Sequence, residues 1–233
     1  MSRKSKRFKA IQKLIQKDKS YTLSEAVDVL KSSPKVGFDE SIEIALRLGV
    51  DSKKSDQQVR STVFLPHGSG KTIRLVVLAK EEAKQQEALD SGADFAGDQD
   101  LIHKIKEGWT DFDAVIATPD MMREVGKLGK ILGPRNLMPT PRTGTVTNDI
   151  KKAVEDLKKG KVEFKVDRNN VINQLVAKLS FSKEQIIENV EALISAILKA
   201  KPPAAKGQYL CSFFLSSTMG AGIKIDMNSL AFS

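Results

Sequence analysis

The chain has 233 residues and a mass of 25.6 kDa, with 40% hydrophobic and 29% charged residues, a globular rather than a disordered composition. One cysteine, Cys211, excludes an internal disulfide, two histidines leave no zinc set, and the apolar runs at 75–79 and 114–117 fall far short of the roughly 20 residues of a membrane span. Thirty-eight Lys and Arg against 29 Asp and Glu give a net charge of +9 and a pI near 9.5, which favours polyanionic partners such as nucleic acid. Without an apolar stretch behind its basic N-terminus, the chain is expected to be cytosolic.

Residues 1–20 carry Arg3, Lys4, Lys6, Arg7, Lys9, Lys13, Lys17 and Lys19 against one acid, Asp18. Such a block is either a solvated tail or helix face, or an interaction arm. Thr22-Leu-Ser-Glu25 fits a capping box and predicts a helix to about residue 30. From Phe38 the period becomes two: Phe38, Glu40, Ile42, Ile44, Leu46 and Leu48 share one face of a long half-buried strand. Residues 59–65 alternate similarly, until Pro66-His-Gly-Ser-Gly70 breaks the pattern.

The middle of the chain has a different texture. Apolar strands are expected at 73–79 and 113–117, and helices at 80–90, 98–107, 121–128 and 148–159. Strands alternating with helices argue for a small parallel sheet covered on both faces. The intervening segment 129–147 is a loop with Pro134, Pro139 and Pro141, the bases Lys130, Arg135 and Arg142, and no acid. Past Gly160, strands are expected at 161–167 and 171–181 around a hairpin turn at Arg168-Asn-Asn170. Ser182-Lys-Glu-Gln185 opens a capped helix that Pro202-Pro203 stops, and two strands then flank Thr218-Met-Gly220.

The outer thirds are alike and the middle differs, which predicts a discontinuous α+β domain (1–67 and 160–233) holding an inserted α/β domain (68–159). Pro66, Gly68, Gly70 and Gly160 at the crossings are candidate hinge residues.

No enzyme motif completes itself. Gly68-Ser-Gly-Lys-Thr72 resembles the end of a phosphate-binding loop, but Leu65 stands where the motif needs its first glycine, and a strand follows where it needs a helix. Cys211 reads as a small core residue of an alternating strand. His67 and His103 read as turn and helix-surface residues, and Asp111 with Asp113 lacks a third metal ligand. Gly126-Lys-Leu-Gly129 matches the short G-x-x-G of one RNA-binding fold, a pattern common by chance.

The loop Leu132-Gly-Pro-Arg-Asn-Leu-Met-Pro-Thr-Pro-Arg-Thr-Gly-Thr-Val146, with Phe38-Asp-Glu-Ser41 and Ser217-Thr-Met-Gly220, closely resembles the bacterial-type large ribosomal subunit protein one family, the mobile side-stalk proteins. Ser55-Asp-Gln-Gln-Val59, Leu65-Pro-His-Gly68 and Asp111-Phe-Asp-Ala-Val-Ile-Ala-Thr-Pro119 extend the resemblance over nearly the whole chain. It implies an α+β outer domain, an antiparallel sheet with helices on one side, and an inserted α/β Rossmann-like three-layer domain. It also implies a non-enzymatic protein without cofactor or metal, monomeric when free and ribosome-bound in the cytoplasm. The implied partners are 23S ribosomal RNA in the large subunit, exit-site transfer RNA whose release the stalk assists, and the messenger of its own operon, which it represses.

By motif match, the implied RNA-binding residues are Phe38, Ser41, Thr218, Met219 and Gly220, with Lys165, Asp167, Arg168, Lys178 and Ser212 on neighbouring strands. Phe38 offers a face to a base or ribose, or belongs to the core. Thr218 offers a hydroxyl and Gly220 a close backbone approach, or the two form a plain turn. Lys165, Arg168 and Lys178 would contact phosphates. Lys130, Arg135 and Arg142 form a second contact surface for RNA, or decorate a rigid packing loop. Asn169-Asn170, Ala177, Thr140 and Arg142 depart from the commoner family residues, and Ala177 adds a Cβ beside the contacts of Lys178.

Overall fold

The computed structural model describes residues 5–16, 19–34 and 36–229; Arg3, Lys4, Lys17 and Asp18 of the basic stretch lie outside them. The chain divides into two compact units, Met1–Lys71 with Val162–Ser233, and Thr72–Lys161. The crossings therefore fall at 71/72 and 161/162, a few residues beyond the sequence-derived boundaries.

In chain order the first unit opens with α1 (Lys6–Leu14), α2 (Leu23–Ser32), β1 (Ser41–Leu48) and β2 (Arg60–Phe64). The insert holds β3 (Leu75–Leu78), α3 (Glu82–Asp90), β4 (Phe95–Gly97), α4 (Gln99–Lys106) and β5 (Ala114–Ala117). It continues with α5 (Met122–Lys127), α6 (Gly129–Leu132) and α7 (Ile150–Lys158). The chain returns through β6 (Lys161–Lys165), β7 (Val171–Lys178), α8 (Lys183–Lys199), β8 (Leu210–Ser217) and β9 (Ile223–Ile225).

The outer unit is an α+β fold whose four strands lie in the order β7-β1-β8-β9, with every pair antiparallel. Period two puts Ile42, Ile44, Leu46 and Leu48 of β1 on one buried face, covered by Leu30 of α2 and by Ile186, Val190, Leu193 and Ile197 of α8. Both helices start at capping boxes. Ser182 Oγ accepts from Gln185 N at 3.2 Å while Gln185 Oε1 accepts from Ser182 N at 2.9 Å, and Thr22 and Glu25 repeat the exchange. A second, two-stranded sheet pairs β2 with β6.

The insert is three-layered. Its parallel sheet, in the order β4-β3-β5, is apolar on both faces. Val76 and Leu78 face Leu101, Ile102 and Ile105 of α4 and Val125 of α5, whereas Leu75 and Val77 face Ala88 of α3 and Val154 of α7.

Three expectations are corrected. Residues 161–167 and 171–181 do not form a hairpin: β6 pairs with β2 and β7 with β1, so the strands on either side of Arg168-Asn-Asn170 enter different sheets. The turn itself forms locally, because Asp167 Oδ1 accepts from both Asn169 N and Val171 N at 2.8 Å and Asn170 takes φ +64. Cys211 is exposed rather than in the core. The register slips there, Leu48 facing Leu210 and Arg47 facing Ser212, so Cys211 is the extra residue of a β-bulge. Finally, the segment 129–147 is not loop throughout, since α6 opens it at Gly129–Leu132. Leu132 is fully buried, Leu137 and Met138 pack against the same cluster, and Val146 bridges Ala117.

The segment leaving the outer unit is held to it by Asn189 of α8. Fully buried, Asn189 accepts from His67 N at 3.1 Å and donates to Gly68 O and Val176 O, both at 2.8 Å. Gly68 and Gly70 have φ of +67 and +70, and a Cβ on Gly70 would lie 2.7 Å from Lys178 Cγ. Pro66–Gly70 thus belongs to the outer fold, and the candidate hinge residue Gly160, with φ +107, directly follows Lys159, the C-cap of α7.

Candidate nucleic-acid interface

With α2 and α8 on one side of the four-stranded sheet, its other face carries the alternate residues. Glu43 of β1 lies between Leu175 and Ser216, Ala45 between Asn173 and Phe214, and Arg47 between Val171 and Ser212. Lys224 of β9 extends the row beyond Phe214, whose ring is exposed. Of the residues on this row only Ser212 belongs to the motif set; Phe214, Arg47 and Lys224 share its outward phase.

One end of this face gathers most of the motif residues. Ser41, at the start of β1, faces Lys178 of β7 and is bound to the turn after β8: Ser41 N donates to Thr218 Oγ1 at 2.9 Å, and Thr218 N donates to Ser41 O at 3.0 Å. Lys178 Nζ donates to Ser41 Oγ at 2.9 Å and to Asp39 O at 3.4 Å, so this ammonium braces the strand start as well as adding charge to it. Gly220 N closes the turn onto Ser217 O at 2.9 Å, and a Cβ on Gly220 would lie 2.4 Å from Ser217 Oγ. Around this polar bracket stand two exposed apolar side chains, Phe38 at 55% and Met219 at 50%. Phe38 precedes the strand rather than joining it, which resolves its two readings in favour of the surface.

The remaining positions are not part of that cluster. Ser212 faces Arg47 near the far end of β1, where exposed Asp167 and Arg168 form the turn before β7 and Ser52 Oγ donates to Arg168 O at 3.1 Å. Lys165 is exposed on β6, in the two-stranded sheet. Apart from Lys165, the motif residues thus gather toward the two ends of one sheet face, which also carries Phe214 and Arg47.

In the insert, Lys130, Arg135 and Arg142 are exposed on a packed segment in which Thr143 Oγ1 lies 2.9 Å from both Thr140 Oγ1 and Thr145 Oγ1. Arg135 donates to Thr110 Oγ1. Asp111 and Asp113 flank Arg74 at 2.6 and 3.9 Å, and this pairing, Asp111 first, raises the guanidinium above its ordinary value. His67 Nε2 is 2.5 Å from Glu188 Oε2, and His103 is exposed on α4. Among the described residues no three His, Cys, Asp or Glu side chains gather to hold a metal ion. Among the described residues no helix is long and apolar enough to cross a membrane.

The fold and the site define a class: a split α+β domain with an open, polar-rimmed sheet face, interrupted by a three-layer α/β insert. Residues 29–221 match the family described as the ribosomal protein L1p/L10e family. The chain is 59% identical over 233 residues to the large ribosomal subunit protein uL1 of Chlamydia pneumoniae, covering 100% of both chains. It is 58% identical over 233 residues to that of Chlamydia caviae, again covering 100% of each. With that of Protochlamydia amoebophila it shares 57% identity over 227 residues, 97% of this chain and 96% of the relative. The chain belongs to the ribosomal protein L1p/L10e family, and these relatives are named as ribosomal proteins, not enzymes.

Proposed function

We propose that this protein is a component of the large ribosomal subunit that binds 23S rRNA at the mobile side stalk through the open face of its outer sheet. The observation that carries this reading is the bracket between Ser41 and Thr218, a rigid polar edge with exposed Phe38 and Met219 beside it. Such an edge suits folded RNA: backbone and hydroxyl groups meet sugars and phosphates, while apolar faces accept an unstacked base. Asp167, Arg168 and Ser212 extend the contact along the sheet, with Lys165 and Lys178 adding charge. On this reading the chain is cytoplasmic, monomeric when free, and ribosome-bound otherwise. The insert, with Lys130, Arg135 and Arg142 outward, follows the exit-site tRNA about a pivot at the crossings and helps release it. The same surface binds a mimic of the rRNA site on the operon's own messenger and represses its translation.

The test is titration of the full-length protein with a stalk rRNA fragment and an unrelated structured RNA of equal length, across salt. Phosphate contacts weaken with salt on both RNAs, and recognition leaves a specificity gap that persists. Equal affinity for both RNAs overturns the reading. Co-sedimentation with large subunits separates a resident component from a messenger-only regulator.

A further inference from the structure

Arg7 lies in the first turn of α1, within the basic stretch that reads either as a solvated tail or helix face or as an interaction arm. Its geometry points elsewhere. Arg7 Nη2 donates to Met219 O at 2.7 Å, across 212 positions of chain, and Nη1 lies 3.7 Å from Glu40 Oε1. Glu40 is only 4% exposed, and its Oε1 has no hydrogen-bond partner among the described residues. A buried carboxylate is tolerated where a matching charge faces it. Glu40 is fixed in turn, since its carbonyl accepts from Leu179 N at 2.8 Å and the next residue is Ser41.

We infer that Arg7 and Glu40 are a positioning pair for RNA: the buried carboxylate holds the guanidinium, and the guanidinium holds the Met219 carbonyl and so the Thr218–Gly220 turn. The inference rests on the RNA-binding reading above. A guanidinium shared between two protein acceptors is committed to shape, so its value to a polyanion lies in the turn it sets. It follows that an acid strengthens binding to RNA here, the reverse of what net charge predicts. It also makes docking of α1 part of the site, a role no local motif announces.

The experiment uses the full-length chain, the stalk rRNA fragment and an unrelated RNA of equal length. Glu40→Gln, Arg7→Met and the double variant are titrated across salt, with thermal unfolding recorded for each. Glu40→Gln and Arg7→Met each weaken the stalk complex about tenfold, the scale of a lost charged hydrogen bond. The double variant is no weaker than the poorer single one, and the slope of log affinity against log salt stays that of wild type. If instead Glu40→Gln binds equally or more tightly and Arg7→Met lowers that slope by about one phosphate contact, Arg7 touches RNA directly and the pair is overturned. Wild-type affinity in all variants also overturns it. Should Glu40→Gln not fold, Arg7→Met alone decides through the slope. A wild-type protein that does not discriminate between the two RNAs overturns the RNA-binding reading, whereas discrimination with unaltered variants overturns only the pair.

Discussion

Thr218 and Ser41 are joined through three contacts: Ser41 N donates to Thr218 Oγ1 at 2.9 Å, Thr218 N to Ser41 O at 3.0 Å, and Thr218 Oγ1 to Ser41 O at 3.3 Å. A hydroxyl has one donor and two acceptor lone pairs, so this one keeps a single lone pair and uses the rest to hold turn to strand. Thr218→Val therefore leaves Ser41 N without its partner. It is expected to lower stability by about 1 kcal/mol and RNA affinity about fivefold, while Thr218→Ser retains both. Urea unfolding and RNA titration check this; equal affinity of the valine variant would make the bracket dispensable.

Phe38 separates binding from stability. Its ring is 55% exposed, so Phe38→Ala should change unfolding free energy by no more than about 0.5 kcal/mol. A base stacked on it would contribute about 1–3 kcal/mol, and the variant should then bind stalk RNA about tenfold more weakly. A Phe38→Tyr variant that keeps wild-type affinity would confirm that the ring face matters.

Gly220 and Ser217 offer a rescue test. A Cβ on Gly220 meets Ser217 Oγ at 2.4 Å, so Gly220→Ala forces the turn or the serine to move. Several-fold weaker RNA binding is expected from Gly220→Ala, with partial recovery when Ser217→Ala removes the opposing oxygen. Additive losses in the double variant would show that the clash is not the cause.

Tyr209 supplies a signature at high pH. Burial pushes its phenol up from 10.0 to about 12, and its hydroxyl donates to Ile197 O at 3.1 Å. The folded state then holds a proton that the unfolded state has lost, so this contribution to stability is complete below pH 10 and disappears as pH rises through 12. Urea unfolding should weaken across that window in wild type, and Tyr209→Phe should remove the tyrosine's share of the slope.

The period-two run through β1, the two capping boxes and the change of texture in the insert were all legible, because each is written in residues a few positions apart. What escaped is long-range. Asp167 and Asn170 declare a turn, but nothing near them says that β6 will pair with a strand formed about a hundred positions earlier. The three residues of β4 are too few to carry a period, and the bulge at Cys211 reverses a phase that simple alternation extrapolates. Within the site, Phe38 and Thr218 were visible as motif residues. Arg7 was not, since its partner is 212 positions away.

Asn189 has a consequence for how the molecule can be cut. Because its amide is spent on His67, Gly68 and Val176, the five residues from Pro66 are the last stitch of the outer domain rather than slack thread leading out of it. A truncation that begins at Gly68 takes away one of the three partners of this buried amide, whereas one that begins at Thr72 keeps all three. On the outgoing side, then, the natural place to part the two units is after Lys71, where none of these three bonds is crossed.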